Sequence, residues 1–258
     1  MTDLDAAKLL PTVRTIAHEA GQVILRFYNS GTEVSTKADG SPVTQADQAA
    51  EHVIVPALHH LTPAIPVVAE EACADGRIPD VSGDRFWLVD PLDGTKEFIS
   101  RNGEFTVNIA LIVAGQPILG VVYAPATRTL YAGAGTGTAI MWQEGRNDRA
   151  ITVRRPPKEG VTVASSRSHG DAGETDRFLS RYTVKERVSC GSSLKFCTVA
   201  AGQADLYPRF GPTCEWDTAA GHAVLLAAGG RVCVEDGTSA LGYGKPGFKN
   251  PSFVAYGG

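Results

Sequence analysis

Acidic residues occur in three groups along the chain, and each group lies beside an apolar segment. Glu70-Glu71 and Asp90-Pro91-Leu92-Asp93 each follow an apolar strand pattern, whereas Trp216-Asp217 precedes an apolar helical pattern. Carboxylates that meet in a partly buried place raise one another's pKa, so such a cluster is unfavourable without a cation. Hard oxygen ligands favour Mg²⁺ or Mn²⁺ over Zn²⁺. The pattern therefore predicts a divalent-cation site whose acids are Glu70, Asp90, Asp93 and Asp217.

The segment from Asp90 to Thr95 has the features of a phosphate-binding turn. Pro91 is expected to end the strand at Asp90, and Gly94 permits a tight turn. Thr95 then begins a short helix, so the amides of Gly94 and Thr95 can donate to a phosphate. The carbonyl of Leu92 lies between the two carboxylates of this segment. Metal ions beside such a helix end are typical of a site for phosphoryl transfer.

Two amphipathic helices come before these acids. Apolar residues from Leu9 to Phe27 recur every three or four positions, which predicts a helix that ends at residues 29–31. A second helix is predicted to begin at Thr44, with Asp47 in a capping-box arrangement, and Pro56 is expected to kink it or end it early. Strands at 65–69 and 86–89 and several more within 105–142 give this half an α+β character.

The second half of the chain alternates between strand and helix patterns. Strands are predicted at 161–164, 184–188 and 231–234, and helices at 175–181, 193–201 and 218–228. The polar, proline-bearing segment 146–160 separates this part from the first. We therefore divide the chain into an α+β half, residues 1–150, which carries most of the candidate metal ligands, and an α/β half, residues 151–258, which carries the last one.

Composition limits the classes of partner. Lys and Arg number 24 against 28 Asp and Glu, a net charge of −4, so a broad nucleic-acid-binding surface is not expected. The five cysteines form no C-x-x-C pair, which argues against a disulfide framework or a zinc ribbon. The acidic N-terminus is unlike a signal peptide and no apolar run is long enough to span a bilayer, so a cytoplasmic protein without an integral membrane segment is expected.

The acidic groups also carry a resemblance to a known family. Glu70-Glu71, Asp90-Pro91-Leu92-Asp93-Gly94-Thr95 and Trp216-Asp217-Thr218-Ala219-Ala220-Gly221 resemble the Mg²⁺-dependent, lithium-sensitive inositol monophosphatase superfamily. Lys96-Glu97-Phe98, Gly191-Ser192-Ser193-Leu194-Lys195-Phe196-Cys197 and the segment from Tyr207 to Pro212 are similar to its 3'(2'),5'-bisphosphate nucleotidase branch. The resemblance implies a layered αβαβα sandwich.

The resemblance to this family also implies a role for each matching residue. Two Mg²⁺ ions, or three if Glu71 reaches one through water, would be held by Glu70, Asp90, the Leu92 carbonyl, Asp93 and Asp217. The catalytic residues would be Asp47 and Thr95, which orient the attacking water and help to deprotonate it, together with the metal ligand Glu70. The amides of Gly94 and Thr95 would bind the scissile phosphate, next to Asp217. The rest of the substrate would be contacted by His169, Ser192, Lys195 and Arg209.

The implied reaction is hydrolysis of the 3'-phosphate of 3'-phosphoadenosine 5'-phosphate to AMP and phosphate, which recycles a by-product of sulfur assimilation. The substrate is then a small molecule, and the protein itself a monomer or a homodimer. Two alternatives within the superfamily act on inositol monophosphate or on fructose 1,6-bisphosphate. A third alternative is a protein that senses 3'-phosphonucleotides without catalysis, although the intact pair of Asp47 and Thr95 argues against it.

Overall fold

The structure is a computed structural model that describes residues 5–30, 34–36, 42–166, 172–235 and 237–258 of the 258-residue chain. The α-helices are α1 Ala6–Ser30, α2 Gln45–Leu61, α3 Glu70–Ala74, α4 Thr95–Ile99, α5 Ala172–Leu179, α6 Leu194–Ala200 and α7 Ala219–Ala227. The strands are β1 Val34–Thr36, β2 Pro42–Thr44, β3 Val67–Ala69, β4 Arg85–Asp93, β5 Thr106–Val113, β6 Gln116–Ala124, β7 Thr129–Gly133, β8 Ile140–Gln143, β9 Arg149–Ala150, β10 Val161–Ser165, β11 Val184–Ser189, β12 Leu206–Arg209, β13 Arg231–Val234 and β14 Phe253–Tyr256.

Most strands belong to two sheets. A seven-stranded sheet has the order β3-β4-β5-β6-β7-β8-β9, in which β3 and β4 are parallel and the later neighbours are antiparallel. A five-stranded sheet has the order β11-β10-β12-β14-β13 and mixes parallel with antiparallel pairs. Strands β1 and β2 form a separate antiparallel pair. The larger sheet uses strands before residue 151 and the smaller sheet uses strands after it, while the division of the chain near residue 150 stays a prediction.

Helices cover both faces of each of these sheets. Strand β5 shows this arrangement, because Val107, Ile109 and Leu111 pack with α1 and α2, whereas Ala110 and Ile112 pack with α6 and α7. The same central core includes Tyr207 and Phe253 of the five-stranded sheet, so α6 and α7 lie between the two sheets. Helix α5 packs on the outer face of the smaller sheet through Phe178 and Leu179. The layers alternate as αβαβα, and the predicted fold class is confirmed.

Helix α7 approaches the larger sheet very closely. A Cβ at Gly120 of β6 would lie 2.3 Å from the carbonyl oxygen of Ala220, and one at Gly133 of β7 would lie 2.5 Å from Cβ of Ala227. Both distances are far below van der Waals contact, so any side chain at these two positions would displace the helix. The absence of a side chain at Gly120 and at Gly133 thus sets the distance between the sheet and α7.

The predicted helices are present, with one difference in the second. Thr44 is the N-cap of α2, and its side chain and that of Asp47 form the predicted capping box. Pro56 lies inside α2, which continues to Leu61, so the expectation of an early end is wrong. Leu58 lies beyond the proline and is fully buried, and its burial stabilises the last turn of the helix. In the described part of the chain, no helix combines the length and the apolarity that a membrane crossing requires.

Candidate active site

A β-bulge in β4 places two of the predicted acids on one face of the larger sheet. Asp90 lies opposite Asn108 of β5, and Asp93 lies opposite Thr106, so three steps along β4 match two steps along β5. Asn108 and Thr106 are two residues apart and therefore point to the same side. The expectation that Pro91 ends the strand is wrong, because β4 pairs with β5 on both sides of the proline. The extra residue turns both carboxylates towards the same space.

Three acids from distant parts of the chain meet at this edge of the sheet. Glu70, Asp90 and Asp217 each offer a carboxylate oxygen, and these oxygens lie within 4.8 Å of one another. Asp90 is buried and accepts a hydrogen bond from the Leu92 amide over 3.0 Å. Burial, and then the charges of Asp93 and Glu70, raise the pKa of Asp217. The cluster brings together oxygen donors and the negative charge that a divalent cation would neutralise.

The loop that carries Asp217 is tied to the chain near residues 244–250. The Cys214 amide donates to Oδ2 of Asp217 over 2.8 Å, and the Asn250 side chain donates to the Cys214 carbonyl over 2.8 Å. Glu215 is fully buried and accepts from the amides of Gly244 and Lys245, at 2.7 and 2.9 Å. Glu215 therefore anchors this loop, a role that the sequence did not indicate.

Glu51 supports the cluster from helix α2. Its carboxylate accepts from the amides of Glu71 and Ala72, at 2.9 and 3.0 Å, so it caps the short helix that begins at Glu70. Burial raises the pKa of Glu51, and the two amide donors act in the opposite direction. Glu51 was also missed from the sequence, where it is one polar residue among many on an amphipathic helix.

Asp47 and Thr95 lie together, as the resemblance implies. The Thr95 hydroxyl donates to Oδ1 of Asp47 over 3.2 Å, and its oxygen lies 3.4 Å from the Leu92 carbonyl. The other carboxylate oxygen of Asp47 accepts from the amide and the hydroxyl of Thr44, at 2.8 and 2.7 Å. Gly94 precedes Thr95 with a φ of 91°, in the left-handed region that suits glycine, and is the N-cap of α4. The predicted tight turn is confirmed.

Asp93 is not one of the three acids with closely grouped oxygens. Its Oδ2 accepts from the Ser192 hydroxyl at 2.5 Å, the Ser193 amide at 2.7 Å and the Asn108 side chain at 3.2 Å. Ser192 adopts the left-handed conformation with a φ of 54°, which is unusual for a residue with a side chain. A loop from the second half of the chain thus holds an acid of the first half. Asn108 and Ser193 were missed, although Thr106 and Asn108 are polar residues in an otherwise apolar strand.

A cleft of about 290 Å³ connects these groups, and its lining includes Glu70, Asp93, Thr95, Lys195, Arg209 and Asp217. The ammonium group of Lys195 donates to the carbonyls of Cys190 and Ser192, and burial lowers its pKa. Arg209 donates from Nη2 to the Pro212 carbonyl over 3.1 Å. Its Nε is buried and has no hydrogen-bond partner among the residues that the structure describes. His169 lies outside the described residues.

The comparison with protein families agrees with this geometry. The sequence profile of the Inositol monophosphatase family matches residues 5–253. The chain belongs to the inositol monophosphatase family. Within this family, it is 51% identical over 251 residues to the 3'(2'),5'-bisphosphate nucleotidase CysQ of Escherichia coli, which covers 95% of this chain and 98% of the relative. The protein of the same name from Salmonella typhimurium is 49% identical over 250 residues, with the same coverage.

Solved structures of the family share the fold. CysQ from Bacteroides thetaiotaomicron has a TM-score of 0.80 and 36% identity, and the match covers 98% of this chain and 97% of that one. The inositol monophosphatase from Anabaena (Nostoc) has a TM-score of 0.76 and 26% identity, with 98% and 91% coverage. The layered architecture described above is therefore that of the family.

Proposed function

We propose that this family member is an Mg²⁺-dependent phosphatase that removes the 3'-phosphate of 3'-phosphoadenosine 5'-phosphate and releases AMP and phosphate. The observation that carries the proposal is the meeting of Glu70, Asp90 and Asp217 beside the hydrogen-bonded pair of Thr95 and Asp47. The substrate follows from relatives that are 51% identical over nearly the whole chain and are named bisphosphate nucleotidases. A cytoplasmic location and a role in recycling a by-product of sulfur assimilation are proposed on the same resemblance.

The residues present fit a site for divalent cations. Glu70, Asp90 and Asp217 would supply carboxylate oxygens, and the Leu92 carbonyl and Oδ1 of Asp93 would add further oxygen ligands. The raised pKa of Asp217 supports this assignment, because its carboxylate is buried and lies beside the negative charges of Asp93 and Glu70. When bound, Mg²⁺ supplies positive charge to the phosphoryl group and acidifies water. Two ions are proposed, with a third if Glu71 reaches one through water.

Thr95 and Asp47 are proposed to take the proton of the attacking water. Because the Thr95 hydroxyl gives its proton to Asp47 Oδ1, the lone pairs of Thr95 Oγ1 can accept a hydrogen bond from water. When the water attacks phosphorus, the bond from phosphorus to the ribose 3'-oxygen breaks, the water proton moves to Thr95 and the Thr95 proton moves to Asp47. The 3'-oxygen takes a proton from solvent to become the hydroxyl of AMP. Thr44 holds the other oxygen of Asp47, so the carboxylate keeps this orientation. The phosphoryl oxygens are assigned to the amides of Gly94 and Thr95.

The opposite side of the cleft is proposed to bind the second phosphate. Arg209 has a buried Nε without a partner in the described residues, and such a donor gains most from a charged acceptor. Two N–H groups of the Lys195 ammonium bond to the loop carbonyls, so Lys195 holds that loop while its charge faces the cleft. Ser192, on the same loop, completes this side. A singly phosphorylated sugar would leave the Arg209 donor unpaired.

A substrate panel tests the proposal. Phosphate release is measured with 3'-phosphoadenosine 5'-phosphate, its 2'-isomer, 3'-AMP, inositol 1-phosphate and fructose 1,6-bisphosphate, with and without Mg²⁺ and with lithium. The adenosine bisphosphate is expected to give the highest kcat/KM, and Asp90→Asn and Asp217→Asn to abolish nearly all turnover. The exposed Asp75→Asn serves as the matched control. A preference for inositol 1-phosphate or fructose 1,6-bisphosphate would replace the proposed substrate, and binding of the nucleotide without turnover would indicate a sensor.

A further inference from the structure

Asp93 is the end point of a buried polar network that the sequence did not reveal. Three polar residues, Thr106, Asn108 and Ser193, are nearly inaccessible to solvent and lie among apolar core residues. Buried polar groups are retained only where they are hydrogen-bonded, so a network of this kind has a defined arrangement. Its members come from β5 and from the start of α6, and they join the two halves of the chain at the cleft.

The hydrogen bonds of the network lead to Asp93 along two chains. An ionised carboxylate can only accept, so the hydroxyl of Ser192 donates its single proton to Asp93. The Thr106 hydroxyl donates to Oδ1 of Asn108 over 3.0 Å, and its oxygen also lies close to the hydroxyls of Ser192 and Ser193. The Ser193 hydroxyl donates to Oδ1 of Asn108 over 2.7 Å, which leaves the amide nitrogen of Asn108 to face Asp93. Both chains of hydrogen bonds therefore end on the same atom, Oδ2 of Asp93.

The network leaves the second oxygen of Asp93 for another partner. Oδ2 accepts from Ser192, Ser193 and Asn108, which uses its lone pairs, whereas Oδ1 meets no donor within the described ranges of the chain. Asp93 lines the cleft and acts electrostatically on Asp217. A carboxylate held through one oxygen presents the other in a constant direction, as a cation ligand requires.

We propose that Thr106, Asn108 and Ser193 are positioning residues that hold Asp93 by Oδ2, direct Oδ1 into the cleft, and thereby set the affinity of the site for a divalent cation. This inference rests on the proposed function, because it takes Asp93 as a ligand. None of the three residues touches the reacting atoms. They act through Asp93, and Ser193 and the Ser192 loop bring the second half of the chain into the site.

The test measures cation binding directly on the free protein. Mn²⁺ is titrated and the free ion is counted by electron paramagnetic resonance, with no substrate present. Thr106→Val removes the hydroxyl at nearly constant shape, Thr106→Ser retains it, and Asn108→Ala removes the amide donor. The matched control is Thr162→Val, which makes the same exchange at a buried strand position of the other sheet, where Thr162 accepts from Arg154.

Thr106→Val and Asn108→Ala are expected to weaken binding of one Mn²⁺ by about 10- to 100-fold, whereas Thr106→Ser and Thr162→Val stay within about twofold of wild type. Wild-type affinity in Thr106→Val, or an equal loss in Thr162→Val, overturns the proposal. If Asn108→Ala does not fold, the two Thr106 variants decide. A wrong proposed function would give a different result from a wrong network proposal. In that case the wild-type protein binds Mn²⁺ but does not hydrolyse the nucleotide.

Discussion

The Thr95 hydroxyl donates to Oδ1 of Asp47 over 3.2 Å and so joins the first turn of α4 to the first turn of α2. The same Asp47 side chain closes the capping box of α2 through Thr44. One carboxylate therefore stabilises a helix with one oxygen and accepts from Thr95, a residue of the cleft, with the other. This arrangement gives Asp47 a rigid position, because the backbone of α2 determines where its side chain lies.

Removal of the Thr95 hydroxyl should lower kcat with little change in structure. Thr95→Val keeps the shape of the side chain but cannot pass a proton to Asp47, so kcat is expected to fall by about a hundredfold or more. Thr95→Ser keeps the hydroxyl and is expected to stay within about tenfold of wild type. Steady-state kinetics with 3'-phosphoadenosine 5'-phosphate at saturating Mg²⁺ measure both. Equal kcat values for the two variants would contradict the proposed proton relay.

Cation affinity should rise with pH through the titration of Asp217. Burial and neighbouring acids raise its pKa to about 8 in the cation-free protein, so below that pH an incoming cation must displace a proton. The apparent Kd for Mn²⁺ is expected to fall by up to about tenfold per pH unit between about pH 6 and 8 and to level off above. Calorimetric titrations across this range provide the measurement. Asp217→Asn should bind weakly and without this slope, and a flat profile in the wild type would contradict the assignment.

Loss of the Glu51 carboxylate should destabilise the protein. Glu51→Ala removes the acceptor of the buried Glu71 amide and of the half-buried Ala72 amide, at a cost of about 1–3 kcal/mol in the free energy of unfolding. Urea unfolding followed by circular dichroism measures this loss. Asp80 also accepts from a backbone amide, that of Ser82, but at an exposed turn. Asp80→Ala is the matched control and should cost less than about 0.5 kcal/mol, and an equal effect of both variants would contradict the argument.

Arg209→Ala should impair the reaction of the adenosine bisphosphate more than that of the monophosphate 3'-AMP. If the buried Nε meets the second phosphate, KM for the adenosine bisphosphate is expected to rise by about tenfold or more, while kinetics with 3'-AMP change less than about threefold. Arg187→Ala, in an exposed ion pair with Asp176, is the control. An equal loss on both substrates would assign Arg209 to the integrity of the cleft instead of to specificity.

Local signals in the sequence predicted the elements well. The capping box at Thr44 and Asp47 and the left-handed turn at Gly94 are decided by a few neighbouring residues, and the structure contains both. Long apolar periodicities predicted α1 and α7 for the same reason. The strands β12 and β14 were not predicted, because each is a short apolar segment whose partner lies far away in the chain.

The parts of the site that were missed depend on pairing between distant segments. The bulge between Asp90 and Asp93 exists only relative to β5, so Pro91 alone wrongly indicated the end of a strand. The sequence shows Asn108 only as a polar residue of a strand, because its role depends on its contacts with β4 and with the start of α6. Glu51 and Glu215 are likewise single acids whose acceptor role depends on backbone amides 20 or more residues away. The acids themselves could be found because each lies at the boundary of an apolar segment.

The close contact between α7 and the larger sheet makes the acidic cluster sensitive to residues that never touch it. Helix α7 begins at Ala219, directly after the segment that carries Asp217, and it lies against Gly120 and Gly133. One methyl group at either glycine would shift the helix and carry Asp217 away from Asp90. A deep mutational scan for inactive variants will therefore score these interior glycines together with the carboxylates. Intact acids alone are not sufficient grounds for judging whether a divergent homologue still works.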